Sequence, residues 1–345
     1  MGRLKPESVT SPEKHLPAKY GFKPGAEAFP LHVPVSVAYP CNALCPSCPF
    51  HVETSDIRKQ HNDTPFVRQD VWEGLAREAG PHAAWLRMSG GGEPSLHPRY
   101  VEMVCFAKEQ GCHVWSNTNG SRKSRRAPGM SLDILEEILR AGIDVIEFSV
   151  DAGDPNTYAV VRAGLDWDIL NQNVRYGLLR RTLKTRIVVS IIDQRACPDP
   201  DAAEAYWRSR GVDHVIRRKF LRWQDGGNPI APDGGRETTP LIDSLGEHGD
   251  PVPCPWLWER LNVDSDGRVA QCGDDILFKS GASLGYIHRP DLPDGARTLA
   301  EVWSGPFMGH LRAEHLAGRG MKQPLCSTCT DACTKSWRYN WEKAL

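Results

Sequence analysis

The sequence predicts an α/β fold in which a parallel sheet curls into a full or partial barrel, followed by a small C-terminal hairpin-and-helix unit. Three observations predict it. Short apolar runs alternate with helical patterns six times between residues 31 and 223, the signature of βα repeats around a parallel sheet. The glycine-bearing and polar motifs fall at the C-terminal ends of the apolar runs, where such folds collect their chemistry. Past residue 253 the pattern changes to "WERLNVDSDGRVAQCGDD", with Asp266-Gly267 as a hairpin turn.

The elements follow in order. "LHVPVSVAYP" (31–40) reads as the first strand and leads into a cysteine loop. A helix over 67–79 precedes the strand "AAWLRMS", which ends in "GGGEP"; a helix over 100–110 precedes the strand "CHVWSNTNG". The helix "SLDILEEILRAG" has Ser131 as its N-cap and Gly142 as its stop. Then come the strand "DVIEFSVDA", a helix from about Pro155, the strand "TRIVVSIID", the helix "PDAAEAYWRSRG" and the strand "VDHVIRRKFLRW". Residues 1–30 read as an N-terminal extension, 31–223 as the barrel and 224–253 as a Gly-, Pro- and Asp-rich linker. Residues 254–345 form the small unit, including the helix "TLAEVWSGPFMGHLRAEHLAG".

The 345 residues carry a formal net charge of -1, with 40% hydrophobic and 25% charged residues, an ordinary soluble composition that points to no nucleic-acid partner. The basic run Arg122, Lys123, Arg125, Arg126 reads as a solvated loop. No apolar h-region opens the chain and no apolar run reaches membrane-spanning length, so the expectation is a cytoplasmic protein with no membrane partner. In that reducing setting the 11 cysteines signify metal or redox chemistry, and their odd number argues against a complete disulfide framework.

"YPCNALCPSCPF" places Cys41, Cys45 and Cys48 on one short loop. Thiolates are good ligands for soft iron, and a four-iron cluster is normally held by four of them. Three leave one iron with open coordination, as a catalytic metal centre requires, where a small molecule with an amine and a carboxylate can chelate. A three-cysteine zinc site completed by His51 or His61 is the alternative.

The spacing CxxxCxxC just after a first strand resembles the signature of the radical S-adenosylmethionine (radical SAM) superfamily. The resemblance implies a partial (β/α)6 TIM-like barrel, a [4Fe-4S] cluster on Cys41, Cys45 and Cys48, and SAM chelating the unique iron. Reduction then yields a 5′-deoxyadenosyl radical that abstracts hydrogen from substrate. "SGGGEP" is similar to the family's GGE motif, which implies Gly90, Gly91, Gly92 and Glu93 as cofactor-binding, with glycine backbone approaching the SAM amine where a Cβ would block it. The same resemblance makes Asn119 in "TNG", Ser149 beside Asp151, and Arg162 in "YAVVRAG" cofactor-binding, Arg162 facing the SAM carboxylate, and sets "IVVSIID" near adenine.

Cys254, then Cys272 in "GRVAQC", then "CSTCTDAC" with Cys326, Cys329 and Cys333, resemble the auxiliary-cluster region of the SPASM and twitch subfamilies, with Trp303 where those domains often carry a tryptophan. A full SPASM domain needs about seven or more cysteines, since two clusters share up to four thiolates each; five are present here. The resemblance implies a second [4Fe-4S] cluster on Cys254, Cys272, Cys326 and Cys329, with Cys333 spare and Cys329 and Cys333 able to exchange roles; a zinc knuckle is the alternative. As a hydrogen-atom donor, Cys333 makes the protein an epimerase; without a donor, the auxiliary cluster takes the electron and the protein is a dehydrogenase. Cys105 and Cys112 read as core, and Cys197 as a weaker donor.

The implied substrate is a sugar, aminocyclitol or similar natural-product small molecule, as in antibiotic biosynthesis, and the implied partner is an external reductant such as flavodoxin or ferredoxin. Peptide modification is an alternative; it usually comes with a leader-binding domain of roughly 80 residues, which the first 30 residues cannot form. A zinc-binding interaction module is the rival from another class. Glu147, Asp193, Asp274 and Asp275 are candidates to position hydroxyls, and Trp256, Trp258, Trp337 and Trp341 suit core packing or stacking on sugar rings.

Overall fold

A computed structural model describes residues 25–50, 63–220, 224–225, 228–229, 253–278, 284–293 and 295–327. The chain runs β1 (His32–Ser36), α1 (Gln69–Ala79), β2 (Trp85–Ser89), α2 (Tyr100–Glu109), β3 (His113–Thr118), α3 (Leu132–Arg140), β4 (Val145–Ser149), α4 (Pro155–Val161), α5 (Trp167–Arg180), β5 (Arg186–Asp193), α6 (Pro200–Ser209) and β6 (His214–Lys219). After a two-residue ladder, β7 (Gln224–Asp225) with β8 (Asn228–Pro229), come α7 (Trp256–Glu259), β9 (Asn262–Val263), β10 (Val269–Ala270), α8 (Gly273–Phe278), α9 (Leu299–Trp303), α10 (Pro306–Leu316) and α11 (Pro324–Ser327).

β1 to β6 pair in parallel in sequence order, and β1 and β6 do not close on each other, which makes the sheet an open, partial barrel. The helices cover its outer face with their apolar stripes; α3 buries Leu135, Ile138 and Leu139 there. Its ends are as the sequence predicts: Ser131 Oγ accepts from Ile134 N–H at 3.2 Å, and Gly142 takes a φ of +79° that side chains disfavour. No described helix is long and apolar enough to cross a membrane.

Because strand side chains alternate, the inward positions stack in layers along the barrel axis. At the N-terminal end Trp85, Trp115, Val145, Val188 and Ile216 form an apolar plug. Two residues further along each strand come Arg87, Asn117, Glu147, Ser190 and Arg218. Two further again, Ser89, Asn119, Ser149 and Ile192 line a cleft at the C-terminal end. The middle layer is charged: Glu147, fully buried, accepts from Arg87 Nη2 (2.8 Å), Trp115 Nε1 (3.0 Å) and Arg218 Nη2 (2.7 Å). Two cations to one anion leave a net positive floor under the cleft.

Three features differ from the sequence reading. The helix expected from Pro155 is two helices; Gly164 turns the chain at φ +86°, and Asp166 starts α5 by accepting from Ile169 N–H at 2.9 Å, so Arg162 sits in the break. The expected C-terminal helix also divides, because Pro306 at N1 has no N–H to continue from α9 and starts α10 instead. The third difference is the hairpin. Gly267 turns it at φ +87° as expected, but β9 then pairs in parallel with β1 (Val35↔Val263), so the hairpin continues the barrel sheet. Tyr39 donates its buried hydroxyl to Asp264 of that hairpin, and Ser265 Oγ donates to Thr64 O at 2.6 Å, tying the turn to the loop after β1. Of the predicted linker 224–253, only β7, β8 and residue 253 are among the described residues.

Candidate active site

The cysteine loop follows β1 at the C-terminal mouth of the barrel and is held by protein contacts. Asn42, between the first two cysteines, donates through Nδ2 to Ser121 O and Pro128 O, both at 3.0 Å, and accepts from Asn119 Nδ2 at 2.7 Å. Leu44 N–H donates to Ala163 O (2.7 Å) and Cys48 N–H to Cys45 O (3.1 Å). Cys41, Cys45 and Cys48 line one cleft of about 310 Å³ together with Gly90, Gly91, Gly92, Glu93, Asn119, Ser149, Asp151, Arg162 and Ile192. Three thiols lining one cleft suit a thiolate-held iron–sulfur cluster.

Electrostatics sharpen this. Burial first, then the neighbouring Glu93 carboxylate, push the Cys41 thiol up to about 12, so a bound cation is what makes the thiolate favourable there. Arg162 pairs with Asp151 (2.7 Å) and points Nη1 at Cys45 Sγ (3.8 Å). Burial opposes its charge, but Asp151 and Cys45 outweigh it and the guanidinium stays protonated. Arg162 Nε is buried and has no hydrogen-bond partner among the described residues. Three thiols and a guanidinium in one cleft fit a cluster together with a carboxylate-bearing ligand.

The structure alters the reading of several predicted residues. Gly90, Gly91 and Gly92 line the cleft, but their missing Cβ atoms make room for protein. At Gly92 a Cβ would strike Pro40 O and lie 2.5 Å from Tyr39 O; at Gly91 it would meet Phe50 at 2.6 Å; at Gly90, which has φ +123°, it would meet Ser36 Cα at 2.8 Å. The triplet lets the loop after β2 nest against the cysteine loop. Glu93 is buried and accepts from Thr118 Oγ1 (2.7 Å), Asn119 N–H (2.7 Å) and Ser95 N–H (3.1 Å), bracing the ends of β2 and β3. Asn119 also has both ends of its side chain engaged, with Asn42 and with Ser121 N–H (2.9 Å). Ser149 lies 3.5 Å from Ser190 Oγ. Glu147 is held by arginines and Asp275 pairs with Arg268 at 3.0 Å, so neither stands as an open base; Asp193 lies 3.6 Å from Arg217. The sequence reading missed Asn42, although it lies inside the cysteine motif, and it missed the Arg87–Glu147–Arg218 layer, whose members are 60 and 71 residues apart.

A Gly92→Ala chain is expected to assemble less of the first cluster. Its Cβ collides with backbone, which cannot swing aside, at a cost of about 1–3 kcal/mol. Iron and sulfide content per folded chain checks this.

At the second group, Cys254, Cys272 and Cys326 are among the described residues, and Cys329 and Cys333 lie outside them. Cys254 N–H and Cys326 Sγ meet on opposite nitrogens of the buried His315 imidazole, at 3.3 Å and 3.6 Å. Cys272 follows Gln271, whose N–H donates to Asp275 Oδ2 at 3.1 Å.

Comparison with known proteins finds both domains. Residues 35–178 match the family model described as the radical SAM superfamily, and residues 254–334 match the model of an iron-sulfur cluster-binding (SPASM) domain. A curated relative from Pyrococcus furiosus, the tungsten-containing aldehyde ferredoxin oxidoreductase cofactor-modifying protein, is 25% identical over 215 residues, 59% of this chain and 56% of its own. The chain thus matches little more than half the length of that relative. Streptococcus suis SuiB bound to S-adenosylmethionine superposes with a TM-score of 0.62 at 13% identity, covering 94% of this chain and 78% of that one. BtrN in complex with AdoMet and 2-DOIA gives 0.50 at 13% identity, covering 89% and 95%. These two likenesses show the fold.

Proposed function

The chain is a radical SAM protein with a C-terminal iron–sulfur cluster-binding domain, and from that premise we propose that it abstracts hydrogen from an unactivated C–H of a polar, carbohydrate-like small molecule and epimerises it. The observation that carries the reading is the convergence of Cys41, Cys45, Cys48 and Arg162 on one cleft above a polar barrel floor.

When bound, SAM and the cluster supply a 5′-deoxyadenosyl radical. The protein's part is to hold and orient. In this reading Cys41, Cys45 and Cys48 hold the first cluster; Arg162 meets the SAM carboxylate, with Asp151 fixing the guanidinium at 2.7 Å. Gly90 to Gly92 set the amine end, and Ile192 lies against adenine. Glu93 and Asn119 act one step back, bracing the cysteine loop. Residues 254–345 hold the auxiliary cluster, with Cys254, Cys272, Cys326 and Cys329 as ligands, and a flavodoxin or ferredoxin supplies electrons.

The floor supports a polar substrate. Asn117 both lines the cleft and accepts from Arg87 Nε at 2.7 Å. Arg218 is the register partner of the cleft-lining Ile192, its side chain is 32% exposed, and its Nη2 donates to Glu147 at 2.7 Å. Such donors suit hydroxyl, carboxylate or phosphate groups of a substrate.

The donor in this reading is Cys333, the thiol left over from the auxiliary-cluster ligands; Cys105, Cys112 and Cys197 do not line the cleft. Turnover in deuterated solvent tests it. Epimerisation keeps the product's constitution and places one solvent deuterium at the inverted carbon, and a Cys333→Ala chain still makes 5′-deoxyadenosine but no epimer. A product lighter by two hydrogens would replace epimerisation with dehydrogenation.

A further inference from the structure

We infer that His315 is a positioning residue of the auxiliary cluster, donating Nε2–H to the Cys326 thiolate and thereby raising that cluster's reduction potential. The inference rests on the auxiliary-cluster reading above.

His315 lies near the end of α10, 5% exposed. Its Nδ1 accepts the backbone N–H of Cys254 at 3.3 Å. A nitrogen that accepts carries no proton, so the ring proton is on Nε2. Nε2 faces Cys326 Sγ at 3.6 Å, within reach of an N–H···S hydrogen bond. One ring therefore fixes the backbone at one predicted ligand and donates to the sulfur of another.

The seat of the ring is built for it. Gly320, in the turn after α10, packs against the imidazole; a Cβ there would strike Nδ1 and come within 2.6 Å of Cε1. Ring, acceptor contact and glycine platform together hold Nε2–H in one direction. Hydrogen bonds to cluster sulfurs stabilise the more negative, reduced state and are among the main determinants of cluster potential. A phenylalanine at 315 keeps the ring's bulk and removes the donor.

The test uses the full chain carrying Cys41→Ala, Cys45→Ala and Cys48→Ala, so that only the auxiliary cluster reports, with ¹⁵N-labelled histidine. The reduced cluster is examined by pulsed EPR and by potentiometric titration. The expected result is a weak ¹⁵N coupling, of the size given by a hydrogen-bonded rather than a ligating nitrogen. His315→Phe should abolish it and shift the potential to more negative values, and Gly320→Ala should weaken the coupling and shift the potential less. Absence of ¹⁵N coupling in the parent chain, a strong coupling typical of direct ligation, or an unchanged potential in His315→Phe would overturn the inference. Should His315→Phe fail to take up a cluster, the parent spectrum and Gly320→Ala decide. A parent chain with no iron–sulfur cluster at all would instead remove the auxiliary-cluster reading.

Discussion

A chain carrying Cys41→Ala, Cys45→Ala and Cys48→Ala together is expected to fold, to keep about half of an iron content of about eight, and to lose SAM cleavage to background. The fold survives because the loop's seat hardly uses thiols. Asn42 binds Ser121 O, Pro128 O and Asn119; Leu44 N–H binds Ala163 O; Tyr39 binds Asp264 at the loop's root. Two sulfur contacts among the described residues, Ala43 N–H to Cys41 Sγ at 3.5 Å and Arg162 to Cys45 Sγ at 3.8 Å, are both long. Cleavage is lost because, among the described residues, no other thiol lines the cleft. Circular dichroism, iron analysis and chromatography of 5′-deoxyadenosine under strong reductant measure the three quantities. Loss of all iron, or of the fold, would show that the two cysteine groups are not independent.

Glu147→Ala is expected to destabilise the chain by about 3–5 kcal/mol, since it leaves Arg87 and Arg218 facing each other without their shared anion. The wild-type side chain is fully buried, whereas Arg87 is 16% and Arg218 32% exposed, so water recovers part of the loss and the lower end of that range is the better expectation. The same layer gives a pH signature. Burial alone would raise the Glu147 carboxyl, but Arg218 and Arg87 reverse that and hold it at about 2, below its ordinary 4.5. A carboxyl whose pKa is lowered on folding contributes stability that is full above its unfolded value and lost as pH falls through the folded one. The wild-type advantage over Glu147→Ala should therefore hold at pH 6–7 and shrink between about 4.5 and 2. Denaturant unfolding at a series of pH values checks it; a pH-independent difference would mean that Glu147 contributes by packing alone.

The barrel was legible because each strand and helix carries its own period. Ser131 and Gly142 mark helix ends, Asp266-Gly267 marks a turn, and three cysteines on one loop declare soft-metal chemistry, all within short windows of sequence. What the sequence hid depends on pairing between distant strands. Glu147 looks like an available acid until β2 and β6 deliver Arg87 and Arg218 to it. Gly90 to Gly92 line the cleft, and the sequence did not show that the surfaces their Cβ atoms would strike belong to Ser36, Tyr39, Pro40 and Phe50. His315 lies in a stretch with an ordinary helical pattern, and only the fold sets it between Cys254 and Cys326. The break at Pro306 was readable from its missing N–H; the pairing of the C-terminal hairpin with β1 was not, because two-residue strands carry no period.

The most direct test of the account is metal and sulfide analysis of the anaerobically purified full chain, joined to a reductant-dependent SAM cleavage assay. The expected result is about eight irons and eight sulfides per chain, no stoichiometric zinc, and 5′-deoxyadenosine that forms only with reductant. Stoichiometric zinc in a folded chain that leaves SAM intact would contradict it.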